Sequence, residues 1–473
     1  MSLTEPSSDF LKGLKALLGP QGWRAPEDAP EKFEEPRGKW KGQGALVVRP
    51  DTAEDVAEVL KRAAAARVGV VPHSGGTGLV GGQIAPDGPA PLLLSMDRMN
   101  RIRDVDATDN VLIAEAGVIL ADIQTAAEGV DRLFPLSLAS EGSCRIGGNL
   151  ATNAGGVQVL RYGSARDLCL GVEAALPSGE VIRGLKRLRK DNTGYDLRHL
   201  MIGSEGTLGV ITAAALKLFP RPSEIATAFL GVPGPQEAVD LLNFLRPRVG
   251  DVISAFELID RIGVEFLKAT GLGQPDPLSP MPRWIVLVET GGRPGARDAL
   301  ETALAEAFEA GLATDGAIAQ TEAQRATFWR IRETIPEANR LIGAIASHDI
   351  SVPVARIPEF IAKGEAALAD QFPDLRLNCF GHVGDGNLHF NIYPPEGRQK
   401  GDYVDVQEDV SRMIHDLTHE TDGSISAEHG IGRLKAGDLE RYGDTGKLSA
   451  MRAIKAALDP YGVMNPGAVL RSN

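Results

Sequence analysis

Cysteine is almost missing from this chain: three in 473 residues, Cys144, Cys169 and Cys379, widely spaced and odd in number. That scarcity excludes a disulfide framework, a cysteine-rich zinc module and a cysteine-ligated iron–sulfur cluster, and it points to a reducing, cytoplasmic setting. Positive charge is also short, with 50 Lys and Arg against 63 Asp and Glu and a net charge of −13. A nucleic-acid partner would want a basic face, so none is expected, although local arginines remain able to hold a small anion. No apolar run reaches the roughly eighteen residues of a membrane span, so no transmembrane segment is expected. The opening "MSLTEPSSDFLKGLKALLG" is too acidic for a signal peptide. Its Phe10, Leu11, Leu14, Leu17 and Leu18 share one helical face, with Ser7 or Ser8 as N-cap and Gly19-Pro20 as stop, which predicts a short docking helix.

Glycine (54) and proline (30) are plentiful, and the length implies two or three domains. From Ala45 the text "ALVVRPDTAEDVAEVLKRAAAARVGVVPHSGGTG" reads as strand, helix capped by Thr52, and strand entering glycines. Hairpin-like segments follow in "LLLSMDRMN", "VLIAEAGV" and "GVEAALPSGEVI", the last turning on Ser178-Gly179. After "KLFPRPS" strands such as "ISAFELI" and "RWIVLVE" alternate with long helical patterns, which predicts a sheet covered by helices. The expected division is 1–222, 223–440 and a C-terminal segment 441–473 that packs back on the first domain.

Gly76-Thr77-Gly78-Leu79-Val80-Gly81 formally matches the dinucleotide fingerprint, but no helix opens at the last glycine, so a Rossmann site is rejected. Backbone N–H groups freed by glycines can still form an anion-binding nest. Two more such stretches, "SEGSCRIGGNLATNAGG" at 140–156 and "MIGSEGTLGVIT" at 201–212, make turns alone an expensive explanation in backbone entropy. One long ligand with a pyrophosphate and a polar ring edge accounts for all three.

Five of the eight histidines fall in the last hundred residues. "RLNCFGHVGDGNLHFNIY" reads as a hairpin whose Gly384-Asp385-Gly386-Asn387 tip brings His382 and His389 together, and "SISAEHGIG" adds Glu428 and His429. His, His and Glu are the ligand set of a zinc-type catalytic site, with hydrogen-bonded turn residues as the plain alternative. His415 and His419 have helical i, i+4 spacing, but the stripe Val406, Val410, Met413, Ile414 and Leu417 predicts that both face solvent, so the pair is rejected as a site.

"PHSGGTGLVGG", "GSCRIGGNLATNAGG", "NTGYDLRHLMIGSEGTLGVIT" and "MNPG" together resemble the FAD domain of the vanillyl-alcohol oxidase and p-cresol methylhydroxylase flavoproteins. "GHVGDGNLHFN" with "EHG" resembles the substrate domain of their D-2-hydroxyglutarate and D-lactate dehydrogenase branch. The resemblance implies an α+β fold: a two-part FAD-binding domain and an α+β cap domain with an antiparallel sheet covered by helices. It implies non-covalent FAD on Pro72, Ser74, Gly75, Gly76, Thr77, Gly78, Pro135, Ser143, Gly147, Gly148, Asn149, Thr152, Asn153, Gly155, Glu205, Gly206, Ile211 and Asn465. It implies a divalent metal, zinc by first expectation, on His382, His389 and Glu428. His429 would be the base, Asn387 and Asn391 would lie near substrate, and Arg332, by itself read as a solvated helix arginine, would bind a carboxylate.

The implied reaction oxidises a D-2-hydroxy acid, D-2-hydroxyglutarate before D-lactate, to the 2-oxo acid, with hydride passing from Cα to flavin N5. Electrons would leave to an electron-transfer flavoprotein, a quinone or a cytochrome, and a homodimer is compatible with the sequence. An FAD-containing electron-transfer subunit and a flavin-free metallohydrolase remain as alternatives. Two departures stand out: His73, where relatives often carry Arg or Gln, and Ala346-Ser347-His348, where many have a lysine for the distal part of the substrate.

Overall fold

A computed structural model describes residues 2–471. The chain divides into two compact units: one built from the chain up to Gly156, Gly163–Arg221 and the chain from Glu428 onward, the other from Val157–Tyr162 and Pro222–Ala427. The return to the first unit thus falls at Glu428, earlier than the expected 440/441 division. Among the described residues no helix is long and apolar enough to cross a membrane.

In the first unit the opening helix is Ser8–Leu18, capped by the Ser7 hydroxyl, which accepts from Phe10 N at 3.2 Å. Its apolar face packs with the helix Ala53–Ala66, whose N-cap Thr52 accepts from Asp55 N at 3.1 Å. Beneath them lies a four-stranded sheet in the order Trp23–Arg24, Leu46–Val48, Leu92–Ser95, Val70–His73. The hairpin expectation for "LLLS" is corrected here: Leu92–Ser95 runs parallel between Leu46–Val48 and Val70–His73. All four of its residues are buried, as a central parallel strand requires, whereas a hairpin strand on one solvated face would alternate. A five-stranded antiparallel sheet completes the unit, including the Cys169–Ala175 and Val181–Arg183 hairpin with Gly179 at φ +89° in its turn. The C-terminal tail is zipped to the strand Val70–His73, since Val70 N donates to Val463 O and Asn465 N to Val70 O.

The second unit is one seven-stranded antiparallel sheet, in the order Asp315–Ile318, Glu224–Val232, Trp284–Gly292, Ile253–Asp260, Arg376–Gly381, Asn387–Tyr393, Ala346–Ser351. Alternation along each strand separates two faces. On one, Leu230, Phe256, Val286, Leu388 and Phe390 pack under the helices Pro235–Val249, Ala296–Glu309, Ile357–Gln371 and Gln407–Glu420. On the other, Phe229, Ile259, Leu287, Phe380 and Tyr393 pack under Arg261–Ala269 and Glu322–Ile342. Polar and charged side chains collect on this second face.

His415 departs from its expected exposure: it is buried, and its ring meets His348 edge-on at 5.4 Å between centroids, while His419 is exposed. The buried stripe of that helix, Val410, Ile414, Leu417 and Thr418, is wide enough to include it.

Candidate functional site

The first unit holds a cavity open to solvent. Three glycine-rich stretches line it: Ser74, Gly75, Gly76, Thr77 and Gly78 after the strand Val70–His73; Gly147, Gly148, Asn149 and Thr152 on the short helix Ile146–Ala151 and its cap; and Glu205, Gly206 and Ile211. Pro72 and His429 also line it. Of the residues expected around a cofactor, Pro135, Ser143, Asn153, Gly155 and Asn465 do not. Asn465 braces the lining instead, and Asn153 ties a neighbouring loop. Asn465 Nδ2 donates to Gly82 O and Glu205 O, and Asn153 Oδ1 accepts from Ser164 Oγ and Arg166 N.

Close packing explains the glycines. A Cβ on Gly147 would lie 2.6 Å from Ala116 Cβ, and one on Gly75 would lie 2.7 Å from Ser143 O. Gly148 N donates to Ser74 Oγ at 3.1 Å, which joins two of the stretches. Glu205, at φ +52°, accepts from Ile431 N and Gly432 N at 2.8 and 2.7 Å. Burial pushes its carboxyl up, against the pull of those two N–H groups. His73 is buried against Gly76; burial and the Lys32 charge lower its pKa to about 4, so the ring is neutral. Its Nδ1 and the Oδ1 of Asn149 are buried without a hydrogen-bond partner.

A mostly uncharged, backbone-lined cradle with unmatched buried polar atoms fits the diphosphate and polar ring of FAD. Glu428 belongs to this unit, where its Oε1 accepts from Gly156 N at 3.0 Å.

In the second unit the hairpin Arg376–Gly381 and Asn387–Tyr393 turns through His382–Gly386, with Gly386 at φ +91°; Asn387 opens the second strand rather than closing the tip. The His382 and His389 rings stand 5.8 Å apart between centroids. His382 is buried, and its Nδ1 donates to Glu257 Oε1 at 2.5 Å. Glu257 Oε2 accepts from Arg332 Nε at 2.7 Å. The solvated reading of Arg332 is therefore corrected: it is 4% exposed, and its guanidinium lies over the Phe380 ring at 4.8 Å. Helix Glu322–Ile342 directs it into the sheet because Phe328, Trp329, Ile331 and Ile335 bury the same side. Burial pushes the Glu257 carboxyl up, but the His382 imidazole and the Arg332 guanidinium that bond it outweigh that and hold its pKa low.

Asn387 Nδ2 donates to Asp349 Oδ1 and Ile350 O, tying the turn to the edge strand. Asn391 Oδ1 accepts from His348 N, and His348 Nδ1 donates to Phe390 O. Ser347, on the face of Asn391, is exposed.

Glu257 went unnoticed in "ISAFELID", where it reads as one polar residue in an apolar strand. The signal was its place: a lone acid at an inward position is seldom buried unless paired.

Residues 44–184 match the family model of the FAD binding domain, and residues 221–469 match that of the FAD linked oxidases, C-terminal domain. D-2-hydroxyglutarate dehydrogenase of Xanthomonas citri pv. viticola is 36% identical, the match covering 92% of this chain and 91% of that protein. The mitochondrial D-2-hydroxyglutarate dehydrogenase of Arabidopsis thaliana is 37% identical over 91% of this chain and 76% of its own length. The fold is that of p-cresol methylhydroxylase, with TM-score 0.77, 17% identity and coverage of 99% of this chain and 98% of the other. With both of its halves matched and full-length relatives well above 30% identity, the chain belongs to the FAD-linked oxidase family and is an FAD-dependent dehydrogenase.

Proposed function

We propose that this enzyme oxidises D-2-hydroxyglutarate, with D-lactate as second choice, to the 2-oxo acid. The relatives named D-2-hydroxyglutarate dehydrogenase support FAD-dependent oxidation of a D-2-hydroxy acid. The observation that carries the finer reading is the buried chain His382–Glu257–Arg332, which sets an imidazole and a guanidinium side by side on one sheet face.

Ser74 to Gly78 would hold the FAD pyrophosphate, and Gly147, Gly148, Asn149, Thr152, Glu205, Gly206 and Ile211 the rest of the cofactor. When bound, FAD supplies the two-electron acceptor that no side chain can provide. His382, His389 and Glu428 would hold the metal, which when bound supplies a Lewis acid for the substrate hydroxyl. Two observations suit that set. The Glu257 carboxylate fixes the His382 Nδ1–H, the outer partner that metal-binding histidines commonly have. Ala427, the residue before Glu428, donates to Asp349 O, and Asp349 stands opposite His389.

Arg332 would take the substrate carboxylate. Its Nε is spent on Glu257, and the two Nη groups, which bond no described residue, form the fork that matches a carboxylate. His429, on the cavity wall, would accept the hydroxyl proton, a role suited to an imidazole near neutral pH. Asn391 would offer its Nδ2, while the Asn387 amide holds the turn.

Anaerobic bleaching of the visible flavin spectrum tests this reading, with D-2-hydroxyglutarate, D-lactate and D-malate, each repeated after chelation. Bleaching that is specific for the D-enantiomer and lost on chelation is expected, strongest with D-2-hydroxyglutarate. A yellow protein that no 2-hydroxy acid bleaches would refute it.

A further inference from the structure

Glu257 bonds both His382 and Arg332. It is fully buried in the middle of the strand Ile253–Asp260, and each carboxylate oxygen is committed to one donor. The bond from His382 Nδ1 dictates the tautomer, placing the ring's basic lone pair on Nε2. The bond from Arg332 Nε, with Phe380 beneath the guanidinium, fixes the plane and direction of the Nη fork. A carboxylate serving only to neutralise a buried cation would need neither arrangement. Glu289 shows that simpler case on the same face: its donors are Thr227 Oγ1, Arg325 and the Trp329 indole N–H.

We propose that Glu257 is a positioning residue that sets the metal-binding histidine and the substrate-binding arginine together. The proposal rests on the reading of His382 as a metal ligand and Arg332 as the carboxylate site. A glutamine at 257 has the same shape but only one oxygen, so the His382 N–H and the Arg332 N–H must compete for it.

The experiment measures the Zn²⁺ dissociation constant of FAD-loaded protein by competition with a chromophoric chelator, alongside KM and kcat for D-2-hydroxyglutarate. Glu257→Gln should bind Zn²⁺ roughly 10–100-fold more weakly, the range for loss of a ligand's outer partner, and KM should rise. Arg332→Met should raise KM and leave Zn²⁺ binding near wild type. In Glu257→Gln/Arg332→Met the glutamine oxygen is returned to His382, so Zn²⁺ affinity should recover most of the loss. Glu257→Leu/Arg332→Met, equally free of buried charge but without an acceptor, should stay at least about tenfold weaker than that double variant. Equal Zn²⁺ affinity of the two double variants would overturn the proposal, even if Glu257→Gln alone fails to fold. Wild-type protein that binds no Zn²⁺ would overturn the metal reading itself, a result distinct from indifference to the residue at 257.

Discussion

The cavity of the first unit and the charged sheet face of the second hold their polar groups in place by opposite means. The cavity uses backbone, with glycines placed where a side chain would collide, as at Gly75 and Gly147. The sheet face uses ionised side chains taken out of water, each carboxylate offset by donors from a different strand or helix. The backbone solution is charged to conformational entropy, the other to desolvation. They should therefore fail differently when one residue is changed.

The largest effect is expected at Gly147. Alanine there puts a Cβ 2.6 Å from Ala116 Cβ and 2.9 Å from Ala116 O, and neither atom can retreat without moving the sheet. Gly147→Ala should be purified without FAD colour, whereas Gly142→Ala, in the same stretch but with nothing within 4 Å of its added Cβ, should stay yellow. The visible spectrum and an FAD titration decide it. Full FAD occupancy in Gly147→Ala would break the distinction between a fitted cradle and ordinary turns.

Glu289→Gln probes the charged face away from the proposed chemistry. Removing the charge leaves the half-buried Arg325 with only the exposed Glu322 as an anionic partner and takes acceptor capacity from Trp329 and Thr227. Urea unfolding should show a loss of about 3 kcal/mol, typical of breaking a buried ion pair, with Zn²⁺ and FAD binding unchanged. If Zn²⁺ binding weakened as much as in Glu257→Gln, the two carboxylates would be equivalent and the contrast between them would collapse.

The same contrast explains what the sequence disclosed. A backbone-built site is local: three glycine-rich stretches announced themselves by composition, and residues from each line one cavity. The caps Ser7 and Thr52 were legible for the same reason, because a hydroxyl and the N–H it caps lie three residues apart. A charge-built site depends on register. Glu257 and His382 lie 125 positions apart in sequence and meet only because Ile259 pairs with Phe380. Nothing in "ISAFELID" or "FGHVGDG" reveals that pairing. His415 failed for a related reason, since the width of a buried helical stripe depends on its neighbours, here His348. The parallel strand Leu92–Ser95 likewise belongs to partners far from it in sequence.

Asp260, at the end of the strand that carries Glu257, sharpens the comparison from the other side. It is buried and caps the helix Arg261–Ala269 through Ile262 N, but its nearest cation, Arg283, stands at 3.9 Å and is mostly exposed. Burial therefore prevails and pushes its carboxyl up to about 6, from an ordinary value of 3.8. Between those two values the folded protein holds more protons than the unfolded chain, so stability falls as pH rises through that window. The stabilisation is complete below 3.8 and gone above about 6. A shift of about two units corresponds to roughly 3 kcal/mol. Asp260→Asn keeps the capping oxygen and removes the ionisation. The variant should match wild type near pH 4 and exceed it by up to that amount at pH 7, read from urea midpoints at the two pH values. Parallel pH dependence in both proteins would show that Asp260 ionises as easily as Glu257 does, and that a close cation is not what separates them.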